Sequence, residues 1–317
     1  MMNSFLNRVA QHLVDRVKRQ PETPLQEHTV VFPNKRASLF FNQQLTDYLT
    51  PPFWAPRYTT IDEIYQALST LVVADKALLV FYLYKAYHEV THTSESFDQF
   101  YSWGEVLLND FDDIDNNMVD AQALFINITD IEQLTDFNFI DAEQEQIIRR
   151  LFNNFSTEAI TELHKRYLHM WQAMPAIYAT FRSSLERCGM AYEGMMKREI
   201  AERLRDGKDD GLRELVGVQY AHVSIVGFNV LNTTDKMLFR FLRQNCDVRF
   251  YWDYDEVYKD EKTFEAGMFI NQNVSTFGNC LADCPDIYRG FSEKKDIRFV
   301  AAATDNAQCQ YVEQWLQ

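Results

Sequence analysis

The sequence predicts an α/β protein whose parallel sheet is interrupted by a large all-helical insertion. Short apolar runs alternate with helical patterns near both ends of the chain, which is typical of a parallel sheet covered by helices on both faces. Between them, over residues 71–215, apolar residues recur at intervals of three and four and few strand patterns occur. A chain of 317 residues is long enough for such a domain together with its insertion.

The first part of the chain alternates between helical and strand patterns. We expect a helix, a strand, a second helix, and a strand that passes into a helix, at residues 4–18, 29–33, 34–49 and 57–68. Pro33 ends the first strand, and Asn34 lies near the N-cap of the helix that follows. Thr60 and Asp62 are both candidates for the N-cap of the third helix.

The same alternation returns in the last hundred residues. We expect a strand, a helix, two further strands and a final helix, at residues 222–228, 232–244, 247–254, 296–303 and 306–317. Residues 1–70 and 216–290 are therefore predicted to form one split α/β domain around the insertion at 71–215. Residues 291–317 contain one further predicted strand and helix, which cannot bury both of their faces alone, so we expect the chain to be the front part of a longer protein.

The charge of the chain limits the ligands that it can bind. The formal net charge is −15, which opposes binding to nucleic acid phosphates unless basic residues are concentrated locally. One such concentration, the basic strip, consists of Asn34, Lys35 and Arg36 at a turn that leads into a helix. Basic side chains and free N–H groups at the start of a helix suit a phosphate. The alternative is that these are exposed turn residues without a ligand.

Cysteines and hydropathy give little sign of a metal, a cofactor or a membrane. The five cysteines include a Cys280/Cys284 pair without a second pair or a nearby histidine, so reduced thiols are favoured over a metal site. No apolar run approaches the roughly 18 residues of a spanning helix, and no signal peptide is visible. We expect a soluble, cytoplasmic protein that has no metal and no cofactor in this chain and no membrane partner.

The helical region contains two patterns that could carry chemistry. The acidic segment "NDFDDID" at residues 109–115 could be a metal cluster, but a solvated helix end with Phe111 and Ile114 packed inward is favoured. Aromatic residues are dense between residues 82 and 103. They are expected to form core rather than a platform for stacking bases, although a partner subunit could cover some of them.

The order of several stretches along the chain resembles a known family. These stretches are "TVVFPNKRASLFFNQQL", "PRYTTIDEIYQAL", "YSWGEVLLNDFDDID", "VSIVGFNVLNTTDKMLFRFL", "DVRFYWDYD" and "IRFVAAATDNAQCQYVEQWL". Together they resemble the first RecA-like domain of superfamily 1, UvrD-like helicases. They are more closely similar to the AddB-type subunit of bacterial AddAB helicase-nucleases, whose helicase half is degenerate. The resemblance implies a P-loop NTPase-like sheet split around a 1B-like helical domain, followed by the start of a second RecA-like domain.

The residues that hydrolyse ATP in this fold are missing from the sequence. Hydrolysis needs a Gly-rich loop with a lysine for the phosphates and acidic residues at a strand end for magnesium. No GxxxxGK[ST] motif occurs in the 317 residues. At the position that resembles the Walker B strand end, Gly227 and Phe228 replace the acidic pair. We therefore expect an inactive ATPase.

The resemblance also implies a nuclease domain of the PD-(D/E)XK type, but at the far C-terminal end of a longer protein. Two tripeptides in this chain, at residues 260–262 and 293–295, match the (D/E)XK part of the nuclease motif. Both lie in polar linkers, whereas a nuclease core holds its carboxylates and lysine on a buried strand. We expect no catalytic residues in this chain, although its longer parent is expected to be an exonuclease subunit.

The resemblance adds residues to the candidate DNA-binding surface. The segment that contains Thr59 and Thr60 is similar to the strand end that faces single-stranded DNA in the motors, and Arg57 precedes it. The candidate DNA-binding residues are Asn34, Lys35, Arg36, Arg57, Thr59 and Thr60.

Two functions are compatible with these observations. In the first, the chain is a noncatalytic helicase-like module of a bacterial subunit for DNA double-strand-break repair and recombination, and it serves as a scaffold that contacts single-stranded DNA. In the second, it only docks an AddA-type motor subunit and touches no DNA. A basic groove around Lys35, Arg36 and Arg57 would favour the first function.

Overall fold

The computed structural model describes residues 4–50, 52–125, 157–206 and 210–316. The helices are α1 (Phe5–Arg19), α2 (Arg36–Leu45), α3 (Ile61–Leu68), α4 (Lys76–Thr91), α5 (Phe97–Asn116), α6 (Thr157–Arg187), α7 (Glu193–Asp206), α8 (Asp210–Gln219), α9 (Thr233–Asn245), α10 (Glu265–Phe277) and α11 (Asp305–Leu316). The strands are β1 (His28–Phe32), β2 (Arg57–Thr60), β3 (Val72–Val73), β4 (Met190–Ala191), β5 (His222–Val226) and β6 (Asp247–Tyr251).

The main sheet has four parallel strands in the order β2-β1-β5-β6. Its two central strands are far apart in the sequence, yet His28 pairs with His222 and Val31 with Ile225. The sheet therefore contains neighbouring strands from both segments that the sequence assigns to one split domain, residues 1–70 and 216–290. The α/β class with a parallel sheet is confirmed.

Helices cover both faces of this sheet. Val30 and Phe32 pack in a core that includes Val9 and Leu13 of α1. Val31, which points to the other face, packs in a second core that includes residues of α3, α7 and α9. A strand that is buried on both faces needs apolar residues at successive positions, which explains why β1 reads as a continuous apolar run.

Side chains at the helix starts explain where α1 and α3 begin. The Ser4 hydroxyl accepts a hydrogen bond from the Asn7 N–H at 3.3 Å. Thr60 forms a capping box with Glu63, in which each side chain accepts a hydrogen bond from the backbone N–H of the other residue. A capping box satisfies two N–H groups that the helix itself leaves without partners. Of the two candidates that the sequence offered, Thr60 and Asp62, Thr60 is the N-cap.

Helices α4 to α7 lie between β2 and β5 in the chain and share one apolar core. Phe111 and Ile114 of α5 are buried in it, as predicted. The aromatic residues of α4 and α5 also pack in or against this core: Tyr82, Tyr84, Tyr87, Phe97, Phe100, Tyr101 and Trp103. No helix in the described part of the chain combines the length and the apolar character that a bilayer crossing requires.

A small parallel sheet of two strands joins the start of the helical region, before α4, to the connection between α6 and α7. In it, Val72 of β3 pairs with Met190 of β4, and Val73 pairs with Ala191. Strands of two residues are too short to show a period of two in the sequence. The prediction of a region with few strands consequently did not include them.

The strand predicted at residues 296–303 is absent. These residues form no regular structure, and Phe299 is 93% exposed. A strand needs a neighbour to accept and donate its hydrogen bonds, and nothing in the described ranges pairs with this segment. The final helix is present as α11, although none of its residues is buried.

Candidate nucleic-acid interface

The basic strip lies at the carboxyl edge of the sheet. Phe32 of β1 pairs with Thr60 of β2, so the turn after β1 begins beside the start of α3. In open α/β sheets, ligands bind outside the carboxyl ends of the strands. The strip therefore occupies the edge of the sheet where this fold presents its ligands.

The Glu63 carboxylate joins three of the predicted residues. One oxygen lies 2.6 Å from Lys35 Nζ. The other accepts hydrogen bonds from the Thr59 hydroxyl and the Thr60 N–H, both at 3.0 Å. The Lys35 ammonium, more than any other neighbour, lowers the pKa of the Glu63 carboxyl. Lys35 is thus paired with a carboxylate of its own chain rather than free.

The other two residues of the strip are exposed. The Asn34 carboxamide oxygen accepts a hydrogen bond from the Ala37 N–H at 3.2 Å and so caps the first turn of α2. This contact occupies one of the N–H groups that a phosphate could have used. The Arg36 side chain is exposed to solvent. Arg36 is the cation of the strip for which no carboxylate partner is seen in the described residues.

Arg57 lies apart from the strip. It begins β2, opposite Thr29, whereas Thr60 ends the same strand. A strand rises about 3.3 Å per residue, so the backbones of Arg57 and Thr60 lie about 10 Å apart. The Arg57 guanidinium donates a hydrogen bond to the Gln219 carbonyl at 3.2 Å. The structure brings five of the six candidate residues together at the carboxyl ends of β1 and β2. It places Arg57 at the amino end of β2, away from them.

Two exposed apolar residues extend the strip along α2. Leu39 and Phe40 are 72% and 56% exposed, whereas Phe41 and Leu45 are buried. A solvent-exposed aromatic ring beside cations can stack on a base or pack against a protein. Sequence reasoning missed both residues, although helical spacing relative to Phe41 and Leu45 could have placed them on the outer face.

The strand end at Gly227 and Phe228 is built for packing. Gly227 has a φ of +74°, a conformation that glycine adopts readily and other residues do not. Its N–H donates to the Tyr251 carbonyl at 3.0 Å, which ties the end of β5 to β6. Phe228 is buried, and its ring packs edge-on against Phe239, with centroids 5.4 Å apart. The backbone and the side chain at this position both serve the fold.

The acidic segment of α5 differs from its prediction as a solvated helix end. Asp115 is fully buried, and its carboxylate accepts hydrogen bonds from the hydroxyls of Tyr178 and Tyr192. Arg182 and Arg198 each place a guanidinium nitrogen 3.2 Å from the same carboxylate. Burial of a carboxylate is costly unless it is paired, and four donors supply that pairing. The network joins α5 to α6 and α7.

A polar contact also links α7 of the helical region to α3, the helix that follows β2. Lys197 of α7 is buried, and its ammonium lies 2.8 Å from Asp62 of α3 and 5.6 Å from the centroid of the Tyr65 ring. Asp235 of α9 lies in the same surroundings, and burial raises the pKa of its carboxyl. The start of α3, which carries Glu63, is therefore held by the helical region.

Comparison of the sequence with models of known protein families and with curated proteins finds no match. The fold and the site define the class of the protein as an α/β protein with a four-stranded parallel sheet and a turn at its carboxyl edge that carries a lysine and an arginine.

Proposed function

We propose that this chain is a noncatalytic helicase-like module of an AddB-type subunit, and that it contacts single-stranded DNA through the basic strip. The observation that carries this proposal is the adjacency of β1 and β5 in one parallel sheet, with a mostly helical stretch between them in the sequence. A RecA-like domain interrupted by a 1B-like helical domain has this arrangement. The basic strip then lies where related motors hold their single strand.

The strand end of β5 supports the noncatalytic part of the proposal. Magnesium needs oxygen ligands, and the side chains here are a hydrogen atom and a phenyl ring. Phe228 packs on Phe239, so the position has a structural role that a carboxylate would disrupt. Burial of an unpaired charge among these rings would be unfavourable. The scaffold of a motor without its hydrolytic residues fits both observations.

The charge distribution sets the strength that we expect for DNA binding. A formal net charge of −15 opposes the approach of DNA, although salt screens this repulsion beyond roughly 8 Å at physiological ionic strength. Lys35 and Arg36 can contact about two phosphates. Affinity for single-stranded DNA should then be of the order of 10⁻⁴ to 10⁻⁶ M, as for nonspecific contacts.

Fluorescence anisotropy with a labelled oligonucleotide over a series of salt concentrations tests this proposal. Replacement of both Lys35 and Arg36 by alanine should reduce the slope of log affinity against log salt by about 1.4, at about 0.7 per phosphate contact. A matched control replaces Lys18 and Arg19 by alanine. These two residues form an exposed basic pair at the end of α1, which precedes the amino end of β1 in the chain. Equal slopes for the wild type and the strip variant would refute DNA contact by the strip.

A second candidate function is docking of an AddA-type subunit without DNA contact. The exposed Leu39 and Phe40 beside the strip favour it, because exposed apolar residues mark protein interfaces when they lie together. Replacement of both by serine should weaken assembly with the partner and leave the salt slope of DNA binding unchanged. The two functions therefore differ in which pair of substitutions has an effect.

A further inference from the structure

A pocket of about 670 Å³ lies at the carboxyl ends of β5 and β6. This volume is within the range of ligand pockets, about 300–1,000 Å³. Its walls come from α10 and from the 3₁₀ turns at Glu256–Lys259, Pro285–Tyr288 and Gly290–Ser292. Most of the lining is apolar or aromatic, including Tyr254, Tyr258, Phe269, Ile270, Ile287 and Phe291.

The aromatic walls are held in place by their own contacts. The Tyr258 and Phe291 rings meet edge-on, with centroids 5.8 Å apart. The Phe291 N–H donates to the Asp255 carboxylate at 2.7 Å, and the same side chain caps the turn at Val257. Asp255 therefore stabilises the wall of the pocket. These contacts preform the pocket in the absence of a ligand.

Asp253 is different, because its carboxylate has no such role. It follows β6 and lines the pocket, and it makes no hydrogen bond or ion pair within the described ranges. Asp253 is exposed to solvent, and partial desolvation by the surrounding protein raises the pKa of its carboxyl. Lys295 also lines the pocket, but its ammonium donates to the Gly290 carbonyl and lies against the Phe291 ring. The carboxylate of Asp253 is thus available to a ligand.

We propose that this pocket binds a polypeptide segment that inserts an arginine side chain, with the guanidinium on Asp253 and against the aromatic walls. A guanidinium is planar, pairs with a carboxylate through two hydrogen bonds and stacks on aromatic faces. The rings here already accept cations, since the Lys259 ammonium lies 5.5 Å from the centroid of the Tyr254 ring. A carboxylate without a protein partner, in a pocket that is also lined by aromatic residues, is the complement of that side chain.

The rim of the pocket points to a protein as the source of the arginine. Val230 and Phe291 are lining residues that are 59% and 56% exposed. An enclosed site for a small ligand would bury such residues, whereas an interface leaves them open until the partner arrives. The formal net charge of −15 favours a basic protein and disfavours a polyanion.

This inference does not rest on DNA contact by the basic strip. The pocket lies at the β6 side of the sheet, and the strip lies at the β2 side. Substitutions in one site are therefore not expected to affect the other. Failure of the DNA proposal would leave the pocket unaffected, and the reverse also holds.

The experiment uses three probes and isothermal titration calorimetry on the whole chain. The first probe is a blocked pentapeptide with arginine at its centre and leucine on either side, the second has citrulline in place of arginine, and the third is N-acetylarginine amide. Asp253→Asn and Phe291→Ala are the test variants. Asp283→Asn, at an exposed aspartate outside the pocket, is the matched control, and the double alanine variant of Lys35 and Arg36 is a second control.

We expect the arginine peptide to bind more tightly than the citrulline peptide and the single amino acid derivative. Asp253→Asn should weaken binding of the arginine peptide about tenfold or more, which is the effect of losing a charge-assisted hydrogen bond. Both controls should bind it as the wild type does. Phe291→Ala should weaken binding of both the arginine and the citrulline peptide, because the ring packs on the apolar flanks, and it should weaken the arginine peptide more, because the ring also faces the guanidinium.

Four outcomes would overturn the inference. Equal binding of the arginine and citrulline peptides would remove the role of the charge. Equal binding of N-acetylarginine amide and the peptide would assign the pocket to a small molecule. If an oligonucleotide displaced the peptide from the wild type but not from Phe291→Ala, the pocket would be assigned to nucleic acid. Absence of binding by all three probes at millimolar concentration would leave the pocket without this function.

Discussion

The Nζ atom of Lys35 lies 2.6 Å from Oε1 of Glu63, so the basic strip carries its own counterion. The lysine side chain is 79% exposed, and ion pairs of this kind contribute about 0–1 kcal/mol because water and salt screen them. A DNA phosphate would have to compete with the Glu63 carboxylate for the same ammonium. The pair therefore sets the strength of the proposed DNA contact without preventing it.

Replacement of Glu63 by glutamine should increase affinity for single-stranded DNA by up to about fivefold, because it frees Lys35. The amide oxygen of glutamine still completes the capping box with Thr60, so α3 should be retained. The slope of log affinity against log salt should stay close to that of the wild type, because the number of phosphate contacts does not change. Glu105→Gln, which releases Lys76 of α4 from a similar ion pair with α5, is the control. Unchanged affinity would mean that Lys35 does not reach a phosphate.

Replacement of Asp115 by asparagine should destabilise the protein by about 3 kcal/mol or more. The substitution preserves shape but leaves the guanidinium groups of Arg182 and Arg198 without their buried countercharge. Urea denaturation followed by circular dichroism measures the change. Asp113→Asn is the matched control, since Asp113 is exposed on the same helix and should change stability by less than about 0.5 kcal/mol. Equal effects of the two substitutions would contradict the assigned role of the network.

The stability of the sheet should fall as the pH is lowered from about 6.5 to about 4. Burial lowers the pKa of His28 to about 4, and Arg16 and then the adjacent His222 add to this effect, which Asp247 partly opposes. The unfolded chain therefore binds a proton on His28 in this range and the folded chain does not, so folding loses up to about 3 kcal/mol by pH 4.

Urea denaturation at a series of pH values tests this expectation. A His28→Phe variant should lose less stability than the wild type between pH 6.5 and pH 4, because it has no proton to bind. His88→Gln removes an exposed histidine on α4 and should leave the pH dependence of the wild type unchanged. A His28→Phe variant with the full wild-type pH dependence would show that other groups cause it.

Mg-ATP should give no micromolar binding isotherm in calorimetry and no turnover. The motivation is the strand end at Gly227 and Phe228, which offers no side-chain oxygen to a cation, together with the missing Gly-rich motif. Micromolar affinity for Mg-ATP would refute the proposal that this chain is a noncatalytic module. The measurement is independent of DNA, so it tests one half of the proposed function by itself.

Much of the sheet could be predicted because its signals are local. The apolar runs of β1 and β5 and the Thr60 capping pattern each occupy a few consecutive residues, and parallel pairing follows from alternation with helices. The strand predicted at residues 296–303 has the same local signal. It failed because a strand also needs a neighbour, which local sequence cannot supply.

The candidate site was less predictable because its decisive contacts are not local. The pairing of Lys35 with Glu63 depends on the register of β1 against β2, and the burial of Asp115 depends on donors more than sixty residues away. A charged residue in a polar segment reads as solvated until such donors are known. For the same reason, the separation of Arg57 from the strip appeared only with the register of β2.

The pairing of His28 with His222 has a consequence for synthesis of the protein. A ribosome adds about 5–20 residues per second, so β5 emerges roughly 10 to 40 s after β1. Throughout this interval the edge of β1 that later pairs with β5 has no partner. Val31 also lacks the side chains of α7 and α9 that pack against it in the folded protein. Nascent chains should therefore depend on chaperones during this interval, and the four-stranded sheet should close only after β5 and β6 have left the exit tunnel.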